Sequence, residues 1–225
     1  MRWILIILLL LPLTISAQPN YYPDYWFSYD TPEISRPLAV DSIVGHMEPV
    51  GMQLDDLFFF AWRDEIIGMR YQLFDNYGVP MFDSPPLLAS QHSDYWGSLL
   101  ECHPDDNGGC YAVWSYADTV DSLWHIMAQH FNSSGDRTWG ETGTIVHTLD
   151  APPWAGYHDR SISPDGVGGL LCAFNYDNII YLTRIDQNGS HVWGEEEVLI
   201  CDAQNIRNDL AITHDGQGGA YLAWR

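Results

Sequence analysis

The feature that most constrains this chain is a strand, a Gly-rich turn and a second strand, written several times over. The clearest copy is Ser161-Ile-Ser-Pro-Asp-Gly-Val-Gly-Gly-Leu-Leu-Cys-Ala-Phe174. Ala211-Ile-Thr-His-Asp-Gly-Gln-Gly-Gly-Ala-Tyr-Leu-Ala-Trp224 repeats it, and Leu100-Glu-Cys-His-Pro-Asp-Asp-Asn-Gly-Gly-Cys-Tyr-Ala-Val-Trp114 does so with small changes. A weaker first copy ends in Leu57-Phe-Phe-Phe-Ala-Trp62 and has no Gly-Gly pair. The four aromatic ends, Trp62, Trp114, Phe174 and Trp224, stand 52, 60 and 50 residues apart. Self-similarity at that period marks a repeat architecture, in which each unit buries its apolar surface against its neighbours.

Two further features recur in fixed order. A strand runs into a tight turn at Tyr71–Gly78, Ala128–Gly135 and Thr183–Gly189, with Asp75, Asn132 or Asp186 three residues before the glycine. Side chains of that kind cap turn amides, and the glycine accepts the positive φ that the turn demands. Four residues after each glycine comes an aromatic, Phe82, Trp139 or Trp193; Trp139 and Trp193 join Trp62, Trp114, Phe174 and Trp224 as the six expected structural anchors.

The strands after the Gly-Gly turns carry the decisive pattern. Tyr111-Ala-Val-Trp, Leu171-Cys-Ala-Phe and Tyr221-Leu-Ala-Trp are apolar on both faces of the pleat. A two-layer sandwich leaves one face of each sheet wet and gives alternation instead. Strands apolar on both faces belong to sheets covered on both sides, as in the radially packed blades of a propeller. The expected fold is therefore all-β: a β-propeller-like array of four-stranded antiparallel blades over residues 41–225, about three and a half units long. Because the last residues stop just past an aromatic anchor, the array is expected to continue beyond 225 in the full protein.

The pattern Asp-Gly-x-Gly-Gly-x-x-x-Ala-Trp followed by Asp-x-x-Gly-x-x-x-Trp-Gly resembles that of secreted bacterial repeat proteins. Those are large surface proteins predicted to be β-propellers, often ending in a sorting domain for type IX secretion. Asp215–Trp224 and Asp186–Gly194 carry the resemblance most closely, Asp165–Gly169 follows it with Phe174 for Trp, and Asp106–Gly109 is one residue shorter. The resemblance implies a propeller and a surface location. It brings no catalytic residues, and no sorting domain stands in this sequence.

Residues 1–17 pair one arginine with an apolar run and small residues before Gln18, which reads as a secretory signal peptide. The run is shorter than the ~20 residues a membrane-spanning helix needs, so no membrane insertion is expected after its removal. Residues 18–40 form an aromatic, Pro-punctuated leader, Tyr21-Tyr-Pro-Asp-Tyr-Trp-Phe-Ser-Tyr29, expected to pack across an apolar surface. The whole chain sets 30 acidic residues against 9 basic ones, a net charge of −21. Nucleic acid and anionic membrane are excluded as partners, since both select basic patches.

For chemistry the sequence offers little. Sialidase-type propellers carry Asp-box turns with Asp five and Gly three residues before an aromatic; here the Gly stands four before and the Asp or Asn seven before. Asp105, Asp106, Asp165 and Asp215 sit at Gly-rich turns where oxygen ligands for calcium also occur, but no calcium-loop motif surrounds them, and turn capping is the expected role. No catalytic, cofactor-binding or metal-binding residues are assigned. Cys102 and Cys110 flank one hairpin turn in a compartment that permits disulfides, so a bridge between them is expected; Cys172 and Cys201 are left without an assigned pairing. The function expected is a non-enzymatic exported or cell-surface module for binding or scaffolding, its partner a protein or polysaccharide. An extracellular carbohydrate-active hydrolase is the alternative. Export predicts a mature N terminus at Gln18, readable by N-terminal sequencing of the secreted protein; retention of Met1 there would refute it.

Overall fold

A computed structural model of the chain describes residues 46–64, 68–88, 98–117, 123–149, 159–176, 179–194, 197–202 and 209–225. The signal segment and the aromatic leader lie outside them. Among the described residues no helix is long and apolar enough to cross a membrane.

Among the described residues thirteen strands form four antiparallel sheets in chain order. Sheet 1 is β1(His46–Gln53), β2(Leu57–Asp64) and β3(Gly68–Asp75). Sheet 2 is β4(Ser98–Pro104), β5(Cys110–Ala117), β6(Trp124–Phe131) and β7(Thr144–Leu149). Sheet 3 is β8(Asp159–Pro164), β9(Leu170–Tyr176), β10(Ile179–Ile185) and β11(Val198–Asp202). Sheet 4 is the pair β12(Ala211–His214) and β13(Ala220–Ala223). The first strands β1, β4, β8 and β12 pack against one another in succession, which places them on the inner side of the array. Glu101 on β4 ties two of them together: it accepts the Ile162 amide at 3.4 Å and lies 3.7 Å from Arg160 on β8. This is the β-propeller-like arrangement of four-stranded antiparallel blades that the repeat implied.

Three apolar clusters hold the sheets together, and each is an interface. Cys110, Ala112 and Trp114 of β5 join Phe59, Ala61, Tyr71 and Leu73 of sheet 1. The intervening Tyr111 and Val113 point the other way, into a cluster with Leu170, Cys172 and Phe174 of β9. Leu171 and Ala173 of β9 then pack with Ile212, Ala220 and Leu222 of sheet 4. Successive residues of one strand thus face different neighbours, because side chains in a strand alternate with period two. That is the physical reason these strands are apolar at every position.

The register confirms the equivalence of the strand-end aromatics. Trp62 lies opposite Arg70, Trp114 opposite Met127 and Phe174 opposite Tyr181, at matching steps from their turns. Trp62, Trp114 and Phe174 are buried, whereas Trp224 is 40 % exposed. Trp224 lies one residue past β13, whose outer edge pairs with no described strand. Trp139 is buried, and its indole donates to the Gln187 carbonyl on the turn of sheet 3. Trp193, at the corresponding place one sheet later, is 39 % exposed. Among the described residues four of these six side chains are buried, and Trp193 and Trp224 are exposed.

The expected pairing of Cys102 with Cys110 is corrected by the hairpin register. The turn closes on Pro104↔Cys110, so Cys102 lies opposite Ala112 and the two cysteines are diagonal, not facing. Diagonal neighbours stand ~7–8 Å apart, too far for disulfide geometry. All four cysteines are free thiols. Burial pushes the Cys102 and Cys110 thiols up and that of Cys172 up to about 12, which leaves them as small apolar core groups. Trp114, fully enclosed between sheets 1 and 2, tests the packing: Trp114→Ala is expected to lose about 3–5 kcal/mol in denaturant unfolding, and a loss below about 1 kcal/mol would contradict the interface.

Candidate functional site

The turns are built before the site is. Asp105, Asp165 and Asp215 each use Oδ1 to accept two backbone amides, from residues two and four further on, at 2.7 to 2.9 Å. Asp75, Asn132 and Asp186 do the same in the second family of turns, at 2.8 to 3.0 Å. The glycines three residues after that second set have φ of 76°, 82° and 81°, a region costly for residues with a Cβ. Six short polar side chains thus satisfy amides that would otherwise be lost to the ladders.

A second device fixes the segment beyond each turn. Gln72 and Gln129 are fully buried and project beside their own strands. Gln129 Oε1 accepts the Trp139 amide at 3.0 Å while its Nε2 donates to the Gly140 carbonyl at 2.8 Å. Gln72 holds both the amide and the carbonyl of Phe82 in the same way. Sheet 3 has Thr183 at this position, too short for the task, and its buried hydroxyl finds no hydrogen-bond partner among the described residues. The signal stands in the sequence as a glutamine three residues before Asp75 and before Asn132, but only the fold shows its use.

With Oδ1 committed to the turn, Oδ2 of Asp105 and Asp165 is free to meet a cation on the facing strand. Arg184 Nε lies 2.8 Å from Asp165 Oδ2, and Gly218 of sheet 4 sits over its guanidinium, where a Cβ would come within 2.5 Å of Cζ. One sheet earlier the same place is held by His130, whose Nε2 lies 2.8 Å from Asp105 Oδ2 and whose Nδ1 lies 2.7 Å from Thr138 Oγ1. Burial opposes the Asp105 charge, but the His130 hydrogen bond and the Asn107 and Gly109 amides outweigh it and hold the carboxyl below its ordinary value.

Imidazole is shorter than the arginine side chain, and Gly168, the counterpart of Gly218, does not close down on it. Its nearest neighbour would be Gln187 Cβ at 3.6 Å. What remains is an open pocket of about 300 Å³ between sheets 2 and 3. Asp105, Asn107 and Tyr111 line it from the hairpin, His130, Asn132, Ser133 and Thr138 from β6 and the turn beyond, and Gly168 and Gln187 from sheet 3. Tyr111 and Trp139 flank the imidazole, with ring centroids 4.7 and 5.9 Å from it. The pocket mixes polar and apolar surface, and several of its groups stand on the amide-capped turns.

No sequence motif singles out this pocket, since His130 has the pattern of an ordinary strand residue. Of the candidate calcium carboxylates, Asp105, Asp165 and Asp215 sit on successive sheets with their Oδ1 atoms occupied by amides, and Asp106, beside Asp105, has Oδ2 4.0 Å from His214 Nε2. Among the described residues no group of three His, Cys, Asp or Glu side chains is placed to hold a metal ion.

No protein-family model matches the chain, and no curated protein matches it in sequence. Among solved structures it is similar to the Dos1 propeller, at 13 % identity and a TM-score of 0.41, over 79 % of this chain and 44 % of that one. It is also similar to an endo-arabinase from Bacteroides thetaiotaomicron, at 12 % identity and a TM-score of 0.41, over 83 % of this chain and 74 % of that one. The chain spans less than half the length of the Dos1 propeller chain. Both likenesses are distant, and the propeller-like description rests on the sheet order and the alternating interfaces themselves.

The Asp105 turn makes a pH prediction. A carboxyl whose folded pKa is depressed contributes stability above its unfolded value, about 3.9, and loses it as pH falls through the folded value. Asp105→Asn keeps the amide caps and removes the charge opposite His130. Its stability difference from wild type should be largest above pH ~4 and shrink below it in acid titration followed by circular dichroism. A difference that does not change with pH would refute the ionic role.

Proposed function

We propose that this chain is an exported, non-enzymatic propeller module that binds a polar ligand in the pocket between sheets 2 and 3. The observation that carries the reading is the exchange of Arg184 for His130 at equivalent positions. In sheet 3 the cation fills its space and sheet 4 closes over it. In sheet 2 the shorter side chain leaves room lined by amide and hydroxyl groups, among them Asn107, Asn132, Ser133, Thr138 and Gln187. Such groups donate and accept hydrogen bonds without carrying charge, which suits a polysaccharide or the backbone of an extended peptide. The resemblance of the repeats to those of secreted surface proteins, together with the signal-like N terminus, supports a location outside the cell.

One observation favours the alternative of an extracellular hydrolase. Thr138, His130 and Asp105 stand in the order hydroxyl, imidazole, carboxylate, within hydrogen-bond reach of one another. The same carboxylate, however, repeats as Asp165 with Arg184, where Val192 takes the place of Thr138 and no such order exists. The arrangement is thereby explained as a turn-capping ion pair. Glycoside hydrolysis commonly uses two carboxylates, and among the described residues Asp105 is the single one lining the pocket.

His130→Arg discriminates these readings, because it restores the sheet 3 arrangement, keeps a hydrogen-bond donor opposite Asp105 and fills the pocket. Glycan and peptide arrays probed with the wild-type chain should give specific binding, and the variant should lose it by more than about tenfold in Kd with unchanged melting. Binding that survives the variant would place the ligand elsewhere. Release of reducing sugar by the wild-type chain, abolished by Asp105→Asn, would support the hydrolase instead.

A further inference from the structure

Sheet 3 is fastened to the outer part of sheet 2 by a short row of side chains. Trp139 donates its indole N–H to the Gln187 carbonyl at 3.2 Å, and the Thr144 hydroxyl donates to the Gly189 carbonyl at 2.9 Å. Next, His191 Nε2 lies 2.8 Å from the Ile145 carbonyl, so that nitrogen carries a proton and donates it. The row ends at His147 of β7, whose Nδ1 lies 3.0 Å from Glu197 Oε2. Between sheets 1 and 2 the place of His191 is taken by Arg137, which donates to the Tyr71 hydroxyl and the Leu87 carbonyl. Arginine stays charged throughout the physiological range, whereas histidine changes charge between about pH 5 and pH 8.

His147 sits inside the contact. Its ring stacks on Phe174 of β9 at 4.7 Å and on Tyr181 of β10 at 6.3 Å. Titratable groups face it from each element packed against it: Tyr181 on β10, Glu197 ahead of β11, His191 beyond β10, and His125 on β6, itself 2.9 Å from Thr148 Oγ1. Burial disfavours the imidazolium most. Glu197 opposes burial, His191 and His125 reinforce it, and the ring is held below its ordinary proton affinity while the contact is closed. A histidine whose pKa falls on folding adds stability above its unfolded value, about 6.5, and that stability is lost as pH drops below it.

We propose that protonation of His147 opens the contact between sheets 2 and 3, an acid-sensitive seam that controls the candidate pocket. Gln187, one wall of the pocket, stands on the fastened segment. His147 presses on Phe174, which shares a face of β9 with Leu170 and Cys172 at the centre of this contact. A charged ring against those side chains loses its hydration, and opening returns it to water. The link to the pocket rests on the binding reading above; the opening itself does not.

The native thiols report the opening. Cys172 is buried between sheets 2 and 3, and Cys110 between sheets 1 and 2. Both are labelled with an aromatic disulfide reagent that acts in acid, and peptide mapping reads the ratio of the two rates, which cancels the reagent's own pH dependence. From about pH 7.5 to about pH 5 the Cys172/Cys110 ratio should rise by at least about threefold, with a ceiling of about tenfold per pH unit for one proton. His147→Phe keeps the stacking and removes the proton site, so its ratio should stay level. Glu197→Gln removes the counter-charge at the rim and should enlarge the acid rise, which decides the matter if His147→Phe fails to fold. A level ratio in the wild-type chain overturns the proposal, as does a rise that persists in His147→Phe or one that Glu197→Gln does not enlarge. No ligand enters the measurement, so failure here leaves the binding reading standing, and failure of that reading leaves the seam standing.

Discussion

The structure depends on one constraint: β5 and β9, the second strands of sheets 2 and 3, are buried on both of their faces at once. In β5 the residues Cys110, Ala112 and Trp114 serve sheet 1, and Tyr111 and Val113 serve sheet 3. No sheet here has a core of its own, and each is stable only as the neighbour of another. Burial of apolar area is the largest favourable term in folding, and these strands collect it twice. Aromatic side chains fit that arrangement because one Trp or Phe spans much of the gap between two sheets.

The polar chemistry serves this packing. Flat faces pressed together at every level leave no room for untied turn amides, so Asp and Asn satisfy them from within the turn. The same carboxylates then reach across to a cation on the neighbouring strand. Gln72 and Gln129 extend the principle by acting as surrogate strand neighbours for the segment beyond the turn. His147 on β7 shows the cost of such an interface for an ionisable group. It stacks on Phe174 and lies 3.0 Å from Glu197, yet burial outweighs the carboxylate and holds its imidazole below the ordinary histidine range.

The candidate pocket arises from a defect in this regularity. Where the carboxylate's partner is arginine the space between sheets is filled, and where it is histidine about 300 Å³ stays open. Function in repeat proteins commonly sits where one copy departs from the others, because the shared scaffold is already stable without that position. Here the departure is one residue long, and the neighbouring groups are hydroxyls and amides fixed by the turns.

What the sequence determined by itself is the local chemistry and its period. Asp or Asn before glycine means a capped turn whatever surrounds it, and an apolar run on both pleat faces means a covered strand. Hence the turns, the hairpins and the propeller-like class were legible in residues such as Asp165, Gly189 and Leu171. Only the tertiary structure decided which neighbour each face meets, because that depends on register, and a turn closing on Pro104↔Cys110 sets Cys102 diagonal to Cys110. It also decided that Trp139 and Trp114 are buried, because each meets a neighbouring sheet, while Trp193 and Trp224, of the same pattern, are exposed among the described residues. Burial belongs to a pair of sheets, and a single strand's residues specify only one side of it.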